Sequence, residues 1–197
     1  YRKTFETPVN SENKRIILSF DGVQSQMELW VNGILIGEHA YGYTPFQFDI
    51  SPALKEPGKT NMIAVKTVNP GENSRWFAGA GIYRPVGLSV LHSVAVSPWG
   101  VYVSSPVVTK DQATIAIEIE ISNMLLSEVE VKGEILLFAP DKKRMQVYTD
   151  SIKVEADSRG ILQASVQMPD PMLWSPGQPD LYAAEVILYA DGKEVDS

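Results

Sequence analysis

Cysteine is absent from this chain of 197 residues, which removes several kinds of chemistry at once. Without cysteine there is no disulfide framework, no thiolate nucleophile and no zinc site built from thiolates. Histidine is also scarce, because only His39 and His92 occur, and a metal site needs several converging ligands. We therefore expect His39 to be structural, and we predict neither a metal nor a cofactor.

Basic stripes and long apolar runs are missing as well. The formal net charge is −7, and Lys and Arg form no stripe, which argues against nucleic acid and anionic membranes as partners. No apolar run approaches the roughly 20 residues that a membrane helix needs. The chain opens with Tyr1-Arg-Lys-Thr-Phe5, which we interpret as part of a longer protein, so the lack of a signal peptide leaves the compartment open.

Short strands and turns account for nearly the whole sequence. Asn32-Gly33, between Trp30-Val31 and Ile34-Leu-Ile36, predicts a two-residue hairpin, because a type I′ turn needs positive φ at both central positions. Ala113 to Ile121 alternates polar and apolar residues and predicts a strand with four isoleucines on one face. Ser51-Pro52 predicts the start of a very short helix that Gly58 would close. No segment longer than about ten residues keeps a helical period, so the chain is predicted to be all-β.

The strand pattern divides into two domains near Leu91. Residues 1–91 would form one sandwich, and residues 92–197 match the size of an immunoglobulin-like sandwich of about seven strands. Strands begin at the first residue with no lead-in. We therefore expect the first domain to be partial, truncated at its N-terminus.

The stretch from Asn73 to Val86 combines amides, guanidiniums and aromatic rings with Gly79 and Gly81. Aromatic faces and planar hydrogen-bonding groups suit a sugar, whose ring has an apolar face and a rim of hydroxyls. The alternative is a structural turn whose Trp76 and Tyr83 fill the core.

Several motifs together resemble the N-terminal part of glycoside hydrolase family 2, which contains β-galactosidases, β-mannosidases and β-glucuronidases. They occur in order along the chain: Trp30-Val-Asn-Gly33, Gly42-Tyr-Thr-Pro-Phe46, Asn73-Ser-Arg-Trp76, Gly79-Ala-Gly-Ile-Tyr-Arg84 and Leu173-Trp-Ser-Pro176. The fourth motif is most similar to the β-galactosidase branch, in particular to bacterial members that degrade polysaccharides. The resemblance implies a jelly-roll (galactose-binding-like) domain, an immunoglobulin-like domain and then a (β/α)8 barrel.

In that family the barrel holds two catalytic glutamates. The 197 residues of this chain show no strand-helix alternation that would form such a barrel. The resemblance therefore implies no catalytic residue in this chain, no activity for it alone, and a parent that hydrolyses glycosidic bonds with retention. Glu118 and Glu120 alternate with isoleucines and are interpreted as a solvated strand face. The resemblance also suggests a bacterial parent that is periplasmic or secreted, and it leaves open whether that parent is a homo-oligomer.

The family uses a loop of the jelly-roll domain to help hold the terminal sugar, and the matching loop here runs from Asn69 to Tyr83. The resemblance implies that Asn73 and Arg75 recognise hydroxyls or a carboxylate and that Trp76 stacks on or supports the sugar. Several members carry an aspartate just before the aromatic residue, where this chain has Ser74-Arg75. This difference puts any inherited metal or hydroxyl contact in doubt and favours an anionic or differently oriented glycan.

Other conspicuous side chains are expected to be structural. Arg84 is predicted to pair with a buried acceptor, because it lies where the next strand begins. Trp30 and Trp174 are predicted to be core rings, because each stands in a strongly apolar strand context.

Three functions remain open from the sequence. The first is a fragment of a family 2 glycosidase that shapes the substrate pocket of a missing barrel and spaces the domains. The second is a stand-alone carbohydrate-binding module, and the third is a structural or adhesion pair of sandwiches.

Overall fold

A computed structural model describes residues 1–11, 14–69 and 79–197 of the chain. These residues divide into two compact units, Tyr1–Leu91 and His92–Ser197. Each unit is built from β-sheets, and one single-turn 3₁₀ helix, Ser51–Ala53, occurs in the described part. The all-β prediction is confirmed.

Nine strands form the first unit: β1 Arg2–Glu6, β2 Arg15–Phe20, β3 Val23–Gln24, β4 Gln26–Val31, β5 Ile34–His39, β6 Phe46–Asp49, β7 Thr60–Val68, β8 Gly81–Ile82 and β9 Val86–Leu91. One sheet has the order β1-β7-β4-β5, a second has the order β6-β2-β9, and β3 pairs with β8. All these pairings are antiparallel, as expected for sheets joined by hairpins and short loops.

The core of this unit lies between its two larger sheets. Alternate residues of β2 and β4 point inward, because side chains of a strand alternate between its two faces. The fully buried members include Phe20, Val23, Met27, Leu29, Val31 and Ile50.

The hairpin between β4 and β5 is present, with Asn32 at φ 51° and Gly33 at φ 85°. Both central residues thus have the positive φ that a type I′ turn requires, so this prediction is confirmed. Asn32 also donates its side-chain amide to the carbonyl oxygen of Ala53, at 2.8 Å, and to Oδ1 of Asn61, at 2.8 Å.

The predicted helix from Ser51 to Gly58 is wrong in length, because the 3₁₀ turn ends at Ala53. Leu54 is extended, at ψ 151°, and the amide of Lys55 donates to Oδ1 of Asn61, at 2.9 Å. The side chains of Asn32 and Asn61 thus form hydrogen bonds with the carbonyl oxygen of Ala53 and the amide of Lys55, which a continuing helix would bond internally. This competition is long-range, which is why the local pattern did not predict it.

Eight strands form the second unit: β10 Val94–Val108, β11 Gln112–Asn123, β12 Val129–Phe138, β13 Arg144–Tyr148, β14 Ile152–Val154, β15 Ser158–Pro169, β16 Ala183–Ala190 and β17 Lys193–Asp196. One sheet has the order β10-β11-β15, and the other has the order β13-β12-β16-β17 with β14 beside β12. Ile117, Ile119 and Ile121 of β11 are at most 2% exposed and face the core, with Ile115 packed at its margin.

Trp174 is 57% exposed, so its prediction as a core ring is wrong. It lies in the connection between β15 and β16. In this connection Ser175 and Gln178 form an isolated antiparallel β-bridge. Its apolar neighbour Leu173 is itself 44% exposed, so apolar sequence context did not indicate burial here. Trp30, on β4, is half-buried.

No helix within the described ranges is both long enough and apolar enough to cross a membrane.

Candidate functional site

The three predicted sugar-binding residues, Asn73, Arg75 and Trp76, lie outside the described residues. Both ends of their loop are described, and they show where the loop is attached. Val68, at the end of β7, pairs with Gln26, and Gly81, in β8, pairs with Gln24. The two described ends of the loop therefore lie close together, beside the short segment Gln24–Gln26.

Tyr83 fixes the C-terminal end of this loop against a second loop. Its hydroxyl donates to the carbonyl oxygen of Gly42, at 2.8 Å. Its ring lies over Gly22, where an added Cβ would come within 2.8 Å of ring atoms, so a side chain there would displace the ring. Tyr83 is 47% exposed, which does not fit the alternative in which its ring fills the core.

Gly42 belongs to the connection between β5 and β6, which exposes two further aromatic rings. Tyr41 is 58% exposed and Tyr43 is 46% exposed, and their ring centroids lie 5.6 Å apart in an edge-to-face arrangement. We call Tyr41, Tyr43 and Tyr83 the tyrosine rim. A side chain at Gly42 would collide with Oε1 of Gln24, the residue that pairs with β8, so this connection lies close to the attached end of the predicted loop.

The base of the same connection is held by His39. Its ring stacks on Phe46 with centroids 4.0 Å apart, and Nε2 lies 3.3 Å from Oγ1 of Thr44. These contacts agree with a structural role for His39. In the described part of the chain, no group of three or more acidic or histidine side chains could hold a metal ion.

Arg84 does not pair with a buried acceptor, so that prediction is wrong. It is exposed, and its guanidinium lies over the ring of Tyr83, 5.4 Å from the centroid. Such a cation–π contact at an exposed site contributes about 0.5–1 kcal/mol. The sequence placed Arg84 at a strand entrance correctly but could not show that the adjacent aromatic ring would be its partner.

The two glutamates considered in the sequence lie on the surface of the second unit. Glu120 pairs with Arg159 at 3.0 Å, and Glu118 accepts a hydrogen bond from Gln163 at 3.0 Å. Both contacts are cross-strand contacts between β11 and β15. The interpretation of these carboxylates as a solvated strand face is confirmed.

Tyr41 and Tyr43 were not predicted as site residues, although Tyr43 belongs to the quoted motif that begins at Gly42 and Tyr41 directly precedes it. Their exposure on a connection bonded to the end of the Asn69–Tyr83 loop makes them part of the candidate site. A tyrosine ring can stack on the apolar face of a sugar while its hydroxyl bonds to the sugar's oxygens. The signal in the sequence was two tyrosines around a glycine, which also fits a turn.

Comparison with known families decides what kind of chain this is. A model of the glycosyl hydrolases family 2 sugar binding domain matches residues 1–92, and a second model, of glycosyl hydrolases family 2, matches residues 99–197. The chain belongs to glycoside hydrolase family 2. The resemblance inferred from the motifs is thereby confirmed.

Individual relatives and solved structures agree with this membership. A beta-galactosidase of Bacteroides ovatus is 32% identical over 92% of this chain, and a beta-glucuronidase of Bacteroides fragilis is 30% identical over all of it. The crystal structure of a family 2 member from Bacteroides cellulosilyticus superposes with a TM-score of 0.92 at 30% identity, over 99% of the chain. The chain spans 21%, 30% and 27% of the lengths of these family 2 proteins.

Proposed function

We propose that this family 2 chain is the non-catalytic N-terminal part of a β-galactosidase-like glycosidase. Residues 1–91 serve as a partial jelly-roll sugar-binding domain, and residues 92–197 serve as an immunoglobulin-like domain. The order of the two matching family models, 1–92 and then 99–197, supports this assignment. The catalytic (β/α)8 barrel belongs to the parent protein, and the first domain contributes to the rim of its substrate pocket.

The closure of the Asn69–Tyr83 loop carries the proposal. Its two described ends pair with Gln24 and Gln26, so the loop is attached at one place on the first unit. The bond from Tyr83 to Gly42 brings the exposed Tyr41 and Tyr43 to the same place. Polar forks beside aromatic faces are the combination that a sugar ring requires.

Arg75 and Asn73 bind the oxygens of the terminal sugar in this proposal, and Trp76 stacks on its ring. The guanidinium of Arg75 is permanently charged and offers donors in a planar fork, which suits either two hydroxyls or a carboxylate. The relatives carry the names of both a galactosidase and a glucuronidase, so the family offers both substrate types for testing.

The hydrolytic step is assigned to the parent's barrel. Retention requires two carboxyl groups about 5–5.5 Å apart, one as nucleophile and one as acid/base. Glu118 and Glu120 instead bond to neighbouring side chains on a sheet surface, and we assign them no part in the reaction.

The experiment that tests the proposal replaces Arg75 with Ala in the parent enzyme. Loss of hydrogen bonds from a charged donor costs about 1.5–3 kcal/mol, so kcat/KM should fall about 10- to 100-fold on the preferred aryl glycoside. Aryl β-galactosides and aryl β-glucuronides are assayed in parallel, and a larger loss on glucuronides would identify a carboxylate as the partner of Arg75. Arg144→Ala, at an exposed position of the second unit, is the matched control. An unchanged kcat/KM for Arg75→Ala on every substrate would count against the proposal.

Calorimetry separates this function from that of a stand-alone carbohydrate-binding module. The chain Tyr1–Ser197 alone should show no saturable binding of galactosides, because the barrel supplies most of the pocket. Clear saturable binding without the barrel would favour the module.

A further inference from the structure

Two rings of the tyrosine rim lie on a connection to which the proposed function assigns no particular sugar. Tyr41 and Tyr43 belong to the connection between β5 and β6, whereas the three predicted terminal-sugar residues lie on the Asn69–Tyr83 loop. Gly42 is buried, but the tyrosines on either side of it are exposed. Aromatic rings left in solvent in this way offer flat apolar faces to a ligand.

The β5–β6 connection is anchored to the core of the first unit. The ring of His39 stacks on Phe46, and Phe46 stacks on the buried Phe20 with centroids 5.2 Å apart. Thr44, within the connection, lies 3.3 Å from the same histidine ring. The hydroxyl of Tyr83 holds the connection from its other side. Because these contacts order the connection in advance, less conformational entropy is lost when a ligand binds to its rings.

A guanidinium lies beside the rim with its donors unused. Arg84 is exposed, and it contacts the ring of Tyr83 from 5.4 Å above the centroid. Among the residues that the structure describes, it forms no hydrogen bond and no ion pair. Its five N–H donors therefore remain available in a planar fork, which suits a carboxylate or a tetrahedral oxyanion such as a sulfate group. A charge-assisted pair with such a group is stronger than a neutral hydrogen bond.

The rim is placed to contact a second sugar, next to the terminal one. A terminal sugar is linked to the rest of the substrate through one bond, which is the bond that is cleaved. Every further sugar therefore lies on the leaving-group side, where the general acid protonates the departing oxygen. The rim adjoins the end of the terminal-sugar loop, because Tyr83 ends that loop and bonds to Gly42. A chain of two sugars can therefore contact both.

We propose that the tyrosine rim and Arg84 bind the sugar on the leaving-group side of the cleaved bond, and that this sugar carries an acidic group. Tyr41 and Tyr43 stack on its ring, and Arg84 pairs with its carboxylate or sulfate. The substrate of the parent is then an acidic glycan chain. This assignment rests on the proposed function in one respect, because it requires the first domain to border the substrate pocket.

Kinetics of the parent enzyme on four substrates test the assignment. The reference is the glycosyl fluoride of the preferred terminal sugar, because its leaving group has no ring that could stack on the rim. The others are three disaccharides, in which that sugar is β-linked to glucose, to glucuronic acid or to sulfated glucose. The measured quantity is the ratio of kcat/KM on a disaccharide to kcat/KM on the glycosyl fluoride.

The tyrosines are tested by removing their rings. Tyr41→Ala and Tyr43→Ala should each lower the ratio about tenfold on all three disaccharides, because the stacking surface for the second sugar is lost. Tyr41→Phe, which keeps the ring, should retain most of the ratio. Tyr102→Ala, at an exposed position of the second unit, is the matched control. Equal losses on the fluoride and the disaccharides, or no loss on any of them, would overturn the assignment.

Arg84 is tested by removing its charge. Arg84→Gln should lower the ratio about tenfold on the two acidic disaccharides and leave the ratio on the neutral one in place. The larger loss identifies the partner as a carboxylate or a sulfate. Added salt should weaken the preference of the wild-type enzyme for acidic substrates, because the pair is exposed. Arg144→Gln, at an exposed position of the second unit, is the control. Equal losses on neutral and acidic disaccharides, or none, would contradict the binding of an acidic sugar.

Arg75→Ala separates this assignment from the proposed function. All four substrates share the terminal sugar, so loss of Arg75 should lower kcat/KM on each of them alike and leave the ratio unchanged. If kcat/KM is unchanged in Arg75→Ala but the rim variants lose their ratio, the proposed role of Arg75 fails and the rim is supported. If Arg75→Ala loses activity and the rim variants keep their ratio, the assignment of the rim alone is overturned.

Discussion

Asp49 joins three pieces of the first unit through one carboxylate. Oδ2 accepts from Nε of Arg15 at 2.9 Å, and Oδ1 accepts from the amide and the hydroxyl of Ser51 at 3.0 and 2.7 Å. The same hydroxyl accepts from the amide of Ile16 at 2.7 Å. Burial acts to raise the pKa of the Asp49 carboxyl, but the hydrogen bonds from Ser51 and Arg15 outweigh it and hold this pKa below its ordinary value.

The lowered pKa gives a direction for the pH dependence. A carboxyl whose pKa is lower in the folded state contributes stability above its unfolded pKa of about 3.9, and this contribution is lost as pH falls through the folded pKa. We expect Asp49→Asn to lower the free energy of unfolding by about 1–2 kcal/mol at pH 7, with the difference from wild type shrinking below about pH 4. Urea denaturation at pH 7 and pH 3 measures both values. Glu56→Gln, at an exposed carboxylate of the same unit, is the control. A deficit of the same size at both pH values would show that the charge of Asp49 is not responsible.

Tyr83 illustrates a residue whose role depends on distant chain. The sequence placed it in the polar-aromatic stretch, but its bond to Gly42 spans 41 positions and could not be predicted from local pattern. Arg84 and Trp174 show the same limit, since the partner of one and the exposure of the other depend on packing. For these residues the residue type was known from the sequence, but their partners and exposure could not be predicted from it.

Removing the Tyr83 hydroxyl should loosen the tyrosine rim without removing its ring. We expect Tyr83→Phe to lower the free energy of unfolding by about 1 kcal/mol, the typical net value of one hydrogen bond. In the parent enzyme KM should rise, because the β5–β6 connection would no longer be held against the loop. Tyr102→Phe, at a position that is 64% exposed, is the matched control. Denaturation and steady-state kinetics that are both unchanged in Tyr83→Phe would show that the bond to Gly42 is dispensable.

At the scale of elements, the predictions that held depended on local signals. The β4–β5 hairpin follows from Asn32-Gly33, because few residues other than these adopt positive φ in succession. The β11 strand follows from strict alternation, which places its isoleucines on one face. The prediction of a helix from Ser51 to Gly58 was wrong, because the side chains of Asn32 and Asn61, on other elements, bond to the backbone of Ala53 and Lys55.

The hairpin turn offers a test of this local control. Gly33 lies at φ 85° with no atom near the position of an added Cβ, so Gly33→Ala alters the backbone energy alone. We expect a loss of about 1 kcal/mol in the free energy of unfolding, the cost of left-handed backbone for a residue with a side chain. Gly177→Ala also meets open space but has no positive φ, and it should cost nothing. Equal effects of the two substitutions in thermal or urea denaturation would contradict the turn's role.

At the scale of the whole molecule, composition and strand pattern were enough to predict an all-β chain. Ordered motifs were enough to predict family 2 membership, which the family models confirm. The structure describes the frame of the candidate site and not its predicted binding residues, so Asn73, Arg75 and Trp76 stay predictions. Tyr41 and Tyr43 joined the site only through the fold, because the bond that brings them there links separate strands.

The central claim is that the loop from Asn69 to Tyr83 borders the sugar pocket of the parent glycosidase. The most direct measurement is a crystal structure of the parent with a sugar bound in its barrel. The account predicts a side-chain nitrogen or oxygen of Asn73 or Arg75 within about 3.2 Å of a sugar oxygen. A bound sugar that neither side chain reaches, with the loop facing away from the barrel, would contradict it.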